Sequence, residues 1–173
     1  MRAALDALRT LVYATGFTLF WGWIALRVRS YDADLGIVLP HWTRGFGIPL
    51  MVIGGIVALT CAGTFVVVGQ GTPAPFDAPR RFVAVGPYKY VRNPMYVGGL
   101  IVFFGFGLYL RSFSVLLLSF GVFLLLHLFV TLYEEPNLRN RFGLSYEDYC
   151  RHVNRWIPRL PPAKSGPEKE NDQ

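Results

Sequence analysis

The residues of this 173-residue chain that could do chemistry gather in two places. One is the run Gly86-Pro87-Tyr88-Lys89-Tyr90-Val91-Arg92-Asn93-Pro94-Met95-Tyr96, followed closely by Gly98 and Gly99. The other is the carboxylate pair Glu134-Glu135 with an arginine-rich segment behind it. Carboxylates facing tyrosine rings offer hydrogen-bond acceptors and an aromatic surface for a cation. Ionisable groups at the end of an apolar helix are functional candidates, because burying them unpaired is costly. His127 lies inside the apolar stretch before Glu134 and reads either as a base or as a satisfied hydrogen-bonder. Arg151 and Arg155, four apart, share one face of a last helix and could meet a bound carboxylate or anionic headgroups. The Tyr-x-Tyr-x-Arg run also fits an interfacial belt at headgroup level.

The elements that must position these residues are apolar blocks. The chain is 53% hydrophobic and 16% charged, against roughly a quarter charged in an ordinary soluble domain. Candidate spans run from about Leu8 to Leu26 and from Gly45 to Gly69, then from Met95 to Leu110 and from Phe113 to Tyr133. The first two are long enough for a hydrocarbon core of ~30 Å, while the third is short. Arg111-Ser112 is the only polar break between the last two, which predicts a tight helical hairpin. The fold class expected is all-α: a polytopic integral membrane protein of about four transmembrane helices, with short cytosolic C-terminal helices. Met1 to Arg9 with the following apolar block imitates a signal peptide, but Arg27 to Arg29 follow instead of a small-x-small cleavage site, so a mature helix is expected.

Pro136 suits the first turn of a new helix, which predicts a break or kink after Tyr133. Ser145 with Asp148 three residues on reads as the capped start of another helix, with Tyr146, Tyr149 and Val153 on its apolar face. Residues 1–160 read as one domain, with two spans in 1–70 and the candidate residues in 84–160. The tail 161–173 has a disorder-type composition.

The net charge of +6 does not point to nucleic acid, because the basic residues sit between the apolar blocks and in the last third of the chain. With four crossings, one side holds two Lys/Arg before the first span, four in 70–93 and seven after Tyr133. The other side holds Arg27, Arg29, Arg44 and Arg111. The positive-inside rule then places both termini in the cytoplasm, in the inner membrane of a prokaryote if the compact four-helix form is a guide. Two cysteines, Cys61 and Cys150, supply neither a disulfide framework nor a metal knuckle, and no metal site is expected.

Taken together, Gly86-Pro87-Tyr88 to Arg92, Pro94-Met95-Tyr96-Val97-Gly98, and Glu134-Glu135 with Leu138, Phe142-Gly143, Tyr146, Tyr149 and Pro158 resemble the isoprenylcysteine carboxyl methyltransferase family. Phospholipid methyltransferases share its broader superfamily. The resemblance covers Ala84 to Leu160 and implies a membrane methyltransferase that binds S-adenosylmethionine between the hairpin and the C-terminal helices. It implies cofactor contacts from Tyr88, Tyr90, Asn93, Pro94, Tyr96, Gly98, Glu134 and Glu135; by their own chemistry Arg151 is a further candidate contact, and His127 and Glu134 are the catalytic candidates. The partners implied are a lipophilic or lipidated acceptor and membrane lipids, with no nucleic acid and no obligate protein partner.

Two positions depart from the family pattern. Asn93 stands where a His usually precedes Pro-x-Tyr, and Val130 stands where the prenylcysteine enzymes commonly carry an Arg. Without that Arg to pair with a carboxylate, an amine, thiol or hydroxyl on a lipid-like molecule suits the chain better. A lateral entrance between the first two spans and the hairpin is expected for such an acceptor.

Two other classes compete. Tyr149-Cys150-Arg151-His152 before Trp156-Ile157-Pro158 looks similar to the C-terminal region of sterol reductases, which would imply NADPH. A non-catalytic lipid- or partner-binding module is the third. Gly105-Phe106-Gly107 lies in an apolar block, where it reads as helix packing rather than a soluble methyltransferase's glycine-rich turn.

Overall fold

In the computed structural model, residues 2–69 and 83–159 are described. Among them every regular element is helical: α1 (Arg2–Val28), α2 (Asp32–Leu35), α3 (Thr43–Thr64), α4 (Pro94–Leu110), α5 (Phe113–Phe129), α6 (Glu135–Phe142) and α7 (Leu144–His152). Three helical stretches, Leu8–Leu35, Thr43–Val68 and Phe113–Phe142, are long and apolar enough to cross a membrane; α4 is a shorter apolar helix. Their outward faces carry large apolar side chains, including Leu11, Phe17, Leu59, Leu125 and Leu132. In a bilayer these meet lipid tails and need no protein partner.

With hydrocarbon outside, helix association rests on close packing, and glycines supply it. Gly47 and Gly54 on α3 face Gly105 and Gly98 on α4, an antiparallel match with a seven-residue spacing on both helices. A Cβ on Gly54 would fall 2.5 Å from the Gly98 carbonyl oxygen, and one on Gly47 would fall 2.6 Å from that of Gly105. The helix backbones therefore touch along most of α4.

The hairpin joining α4 to α5 forms as its sequence predicts. Arg111 takes a left-handed conformation (φ 57°), and the Ser112 side chain accepts from the Val115 N–H to cap α5. The hairpin tip is tied down by contacts from outside it. Arg111 Nε donates to the Leu39 carbonyl at 2.9 Å, and the Ser114 N–H donates to Asp32 Oδ1 at 2.8 Å.

Two expected helix boundaries are realised differently. The break after Tyr133 is a widened π-helical turn over Val130–Glu134 that leads directly into α6 with Pro136 in its first turn. A proline inside an α-helix removes one hydrogen bond and clashes with the carbonyl four residues back, and a wider turn relieves both. Ser145 does not cap α7. The helix starts at Leu144 after Gly143, whose positive φ of 55° turns the chain between α6 and α7. The expected tail 161–173 and most of the loop from Gln70 lie outside the described residues.

Candidate functional site

At the end of the bundle opposite the hairpin tip, four segments converge: the turn before α4, the first turn of α4, the π-helical turn into α6, and the chain after α7. Tyr96 sits in the first turn of α4, and its hydroxyl donates to Glu134 Oε2 at 3.0 Å. The antiparallel hairpin carries both residues to the same end of the bundle, and the π-helical turn rotates Glu134 relative to a regular helix. Glu134 is partly buried, and its Oε1 has no hydrogen-bond partner among the described residues.

Glu135 has a different environment. It is 3% exposed, with Arg155 Nε and a terminal Arg155 nitrogen on its two oxygens at 2.7 and 2.9 Å. Arg92 lies 3.3 Å away and Arg139 3.8 Å. The hydrogen bonds to Glu135 raise the Arg155 pKa, so its charge is held more firmly. A carboxylate so surrounded has little capacity left for a ligand. Glu135 instead fastens the chain after α7 onto α6 and the segment before α4.

That fastening has further points. The Arg92 N–H donates to the Asn154 carbonyl at 2.8 Å, the Arg159 N–H donates to that of Tyr90 at 2.8 Å, and Asn93 Nδ2 donates to that of Arg155 at 3.2 Å. Tyr149 of α7 donates its hydroxyl to the Tyr88 carbonyl at 2.6 Å. Arg155 thus lies beyond the end of α7 and turns inward, while Arg151 remains on an exposed surface. The expectation that the two share one helical face is corrected, because the helix ends at His152 before Arg155 is reached.

The remaining candidates divide. Tyr88 is buried beside Cys61, Val83 and Phe65. Its hydroxyl has no hydrogen-bond partner among the described residues. Burial, with the nearby Cys61 and Glu134, raises its pKa well above the phenol range, so it stays a protonated donor. Burial raises Tyr146 and Tyr149 in the same direction. Arg92 Nε is also buried without a partner. Tyr90 is exposed, Asn93 and Pro94 are buried at the start of α4, and Gly98 faces Gly54 and Ala58 of α3. At Gly98 the missing Cβ serves helix contact.

His127 Nδ1 is 3.0 Å from Trp156 Nε1. An indole nitrogen only donates, so Nδ1 must be the acceptor and the neutral ring carries its proton on Nε2. In that state the other nitrogen of the imidazole is a donor. Sequence reasoning did not single out Trp156 as a partner for His127, nor Arg92 and Arg155 as partners for Glu135. These pairs are far apart in the chain and follow no local spacing.

An apolar groove of about 360 Å³ runs along α4, lined by Leu50 of α3, by Val97, Leu100, Ile101 and Phe104 of α4, by Phe123 of α5, and by Trp156. The groove lies beside α3 and the hairpin, on the side where a lateral entrance is expected, and its described lining includes no residue of α1. Trp21 of α1 packs instead on Phe103, on a different face of α4. A second groove of about 470 Å³ lies between α1, α2 and α5 near the hairpin tip, away from Glu134.

An all-helical bundle with membrane-length apolar helices defines an integral membrane protein, and its polar, aromatic cluster is a candidate site where the helices end. Residues 42–145 match the family described as phospholipid methyltransferase. The match spans more than half of the chain, and the chain belongs to that family. A comparison with curated proteins gave no match.

Proposed function

We propose that the protein transfers a methyl group from S-adenosylmethionine to a lipid acceptor that reaches the site from the bilayer. The observation that carries this reading is Glu134, fixed through one oxygen by Tyr96 and presenting the other to the site. The donor is zwitterionic, with a carboxylate, an ammonium, a ribose diol and a sulfonium, and the groups here that have no hydrogen-bond partner among the described residues match it in kind. Glu134 Oε1 accepts from an ammonium or a diol, Arg92 Nε and the Tyr88 hydroxyl are buried donors without a partner, and the tyrosine rings present faces to a cation. Family membership supports methyl transfer, and the name of the family supports a lipid acceptor.

When bound, the sulfonium supplies an electrophilic methyl group. The work left to the protein is positioning and exclusion of water, which can supply much of the rate in a displacement of this kind. Tyr96 holds Glu134 in one rotamer. Glu135 with Arg92 and Arg155 holds the chain after α7 against the site, and Tyr149 holds Tyr88. Glu134 is the group proposed to touch the donor. His127, with Nδ1 occupied by Trp156, has no free lone pair for a proton.

Isothermal titration of the detergent-purified protein with S-adenosylmethionine, S-adenosylhomocysteine and NADPH tests the reading, with Glu134→Ala as the control. Saturable binding of both adenosyl ligands, lost in the variant, is the expected result. Unchanged binding in Glu134→Ala would overturn the site, and binding of NADPH alone would make the protein a reductase.

A further inference from the structure

Among the described residues, Trp156 is the one side chain from the segment after α7 that lines the apolar groove. Its place follows from the hairpin register. Counting outward from the turn at Arg111-Ser112, Phe123 stands level with Leu100, and His127 stands level with Tyr96 in the first turn of α4. Trp156 packs against both of these α5 residues, with ring centroids 5.4 Å from Phe123 and 6.2 Å from His127. It therefore closes the groove at the end nearer the Tyr96–Glu134 pair, while Leu50 and Phe104 lie at the end toward the bilayer centre.

This end wall is held from several directions. The indole N–H donates to His127 Nδ1 at 3.0 Å. The preceding residue is fixed through its side chain by Glu135 and through its carbonyl by Asn93. Breaking the indole bond would leave two polar groups unpaired next to hydrocarbon, which is unfavourable. The indole thus has one preferred place, whereas the rest of the groove is made of aliphatic and phenyl groups held only by packing.

From this geometry we infer that Trp156, positioned by His127, determines acceptor specificity by setting how far one hydrocarbon chain can run along the groove toward the Tyr96–Glu134 end. This rests on the lipid-acceptor reading above and adds the part of the acceptor that is recognised. The occupant is a single hydrocarbon chain for two reasons. The described lining offers it no polar side chain other than the indole, whose N–H is already used. The groove also opens between helices of membrane-spanning character, where the surrounding medium is itself hydrocarbon. Its volume falls near the lower end of the ~300–1,000 Å³ typical of ligand pockets, too little for a lipid with two full chains.

The chain has four tryptophans, so replacing Trp21, Trp23 and Trp42 by Phe leaves Trp156 as the only fluorophore of its kind. The probe is a series of fatty alcohols with a terminal bromine, which quenches indole fluorescence on contact, added to this protein in nanodiscs. Saturable quenching with a sharp optimum in chain length is expected. Ile101→Phe, which fills the groove, is expected to weaken that quenching roughly tenfold or more. His127→Ala frees the indole and should flatten the length optimum. His127→Asn, which returns an acceptor close to the position of Nδ1, should restore the optimum, a recovery that general loss of packing would not show.

Linear quenching with no length optimum, equal in Ile101→Phe, or matched by a brominated two-chain phospholipid, would mean contact with bulk lipid only and would overturn the inference. Titration of the same nanodiscs with S-adenosylmethionine separates the two readings. Length-selective quenching without donor binding would leave the groove assigned and remove the methyl-transfer proposal. Donor binding without selective quenching would do the reverse.

Discussion

Glu135 is surrounded by three guanidinium groups, two of them on side chains that are well buried or half-buried: the side-chain exposures are 12% for Arg92 and 28% for Arg155, against 50% for Arg139. The Arg139 contact is largely screened by water and adds little. The Arg92 and Arg155 contacts are different, because removing the carboxylate would leave two cations facing one another in a poorly solvated place. Breaking a buried pair from one side costs about 3–5 kcal/mol. Glu135→Gln is therefore expected to loosen the segment after α7, seen as faster proteolytic cleavage near residues 154–159 and a lower melting temperature with or without donor. Glu134→Gln should keep the melting temperature of the unliganded protein and lose only the stabilisation that the donor provides. Thermal unfolding of both variants in one detergent, with and without S-adenosylmethionine, checks the pair. Equal loss of intrinsic stability in both would contradict the division of roles. The sequence could mark the two glutamates as a pair but not tell them apart. What separates them is the π-helical turn that swings Glu134 toward Tyr96, and the inward path of Arg155, both consequences of tertiary packing.

At the scale of helices, the glycines of α4 offer a direct test. Gly98 and Gly99 are adjacent, and both resemble places kept clear for a ligand when only the sequence is read. In the structure a Cβ on Gly98 would lie 2.8 Å from the Gly54 carbonyl oxygen and 2.9 Å from the Ala58 nitrogen, while one on Gly99 would meet nothing within 4 Å. Both obstacles at Gly98 are backbone atoms, so the helices would have to move apart. Overpacking of this kind costs about 1–3 kcal/mol. Gly98→Ala should lower the melting temperature measurably, and Gly99→Ala should leave it unchanged or raise it slightly. A neutral Gly98→Ala would mean that the α3–α4 contact does not need the close approach. The elements themselves were largely legible. Uninterrupted apolar runs and the Arg111-Ser112 break give α3, α4, α5 and their hairpin. Residue-level boundaries were not: Gly143, with its positive φ, starts α7 where Ser145 looked the better cap, because the reversal between α6 and α7 outweighs the small gain from a side-chain cap.

For the molecule as a whole, the proposed orientation rests on where the basic residues lie and what they do. Thirteen of the 17 Lys and Arg fall on the side of the Glu134 cluster if the helices alternate, and four on the other. Of those four, Arg27 stacks over Trp23 at 5.5 Å, Arg44 over Tyr109 at 4.5 Å, and Arg111 Nε donates to the Leu39 carbonyl. Three of the minority cations thus have local contacts of their own, and the majority is the side that the positive-inside rule would retain in the cytoplasm. The hairpin tip is bonded to Asp32 and Leu39, so α4 and α5 reach as far across as the segment before α3, even though 17 residues of helix span only about 25 Å. A site at the cytoplasmic end would meet a soluble methyl donor made in the cytosol and an acceptor held in the bilayer. His41 and Asp148 are exposed at opposite ends of the bundle and suit cysteine labelling in a Cys150→Ser background, with buried Cys61 retained. In intact cells a membrane-impermeant maleimide should label His41→Cys at once and Asp148→Cys only after the membrane is opened. The reverse pattern would invert the protein and place the Glu134 cluster outside the cell. Labelling of both positions from one side would mean that α3, α4 and α5 do not carry the chain across, and would remove the geometry in which the donor and a membrane-held acceptor approach Glu134 from different phases.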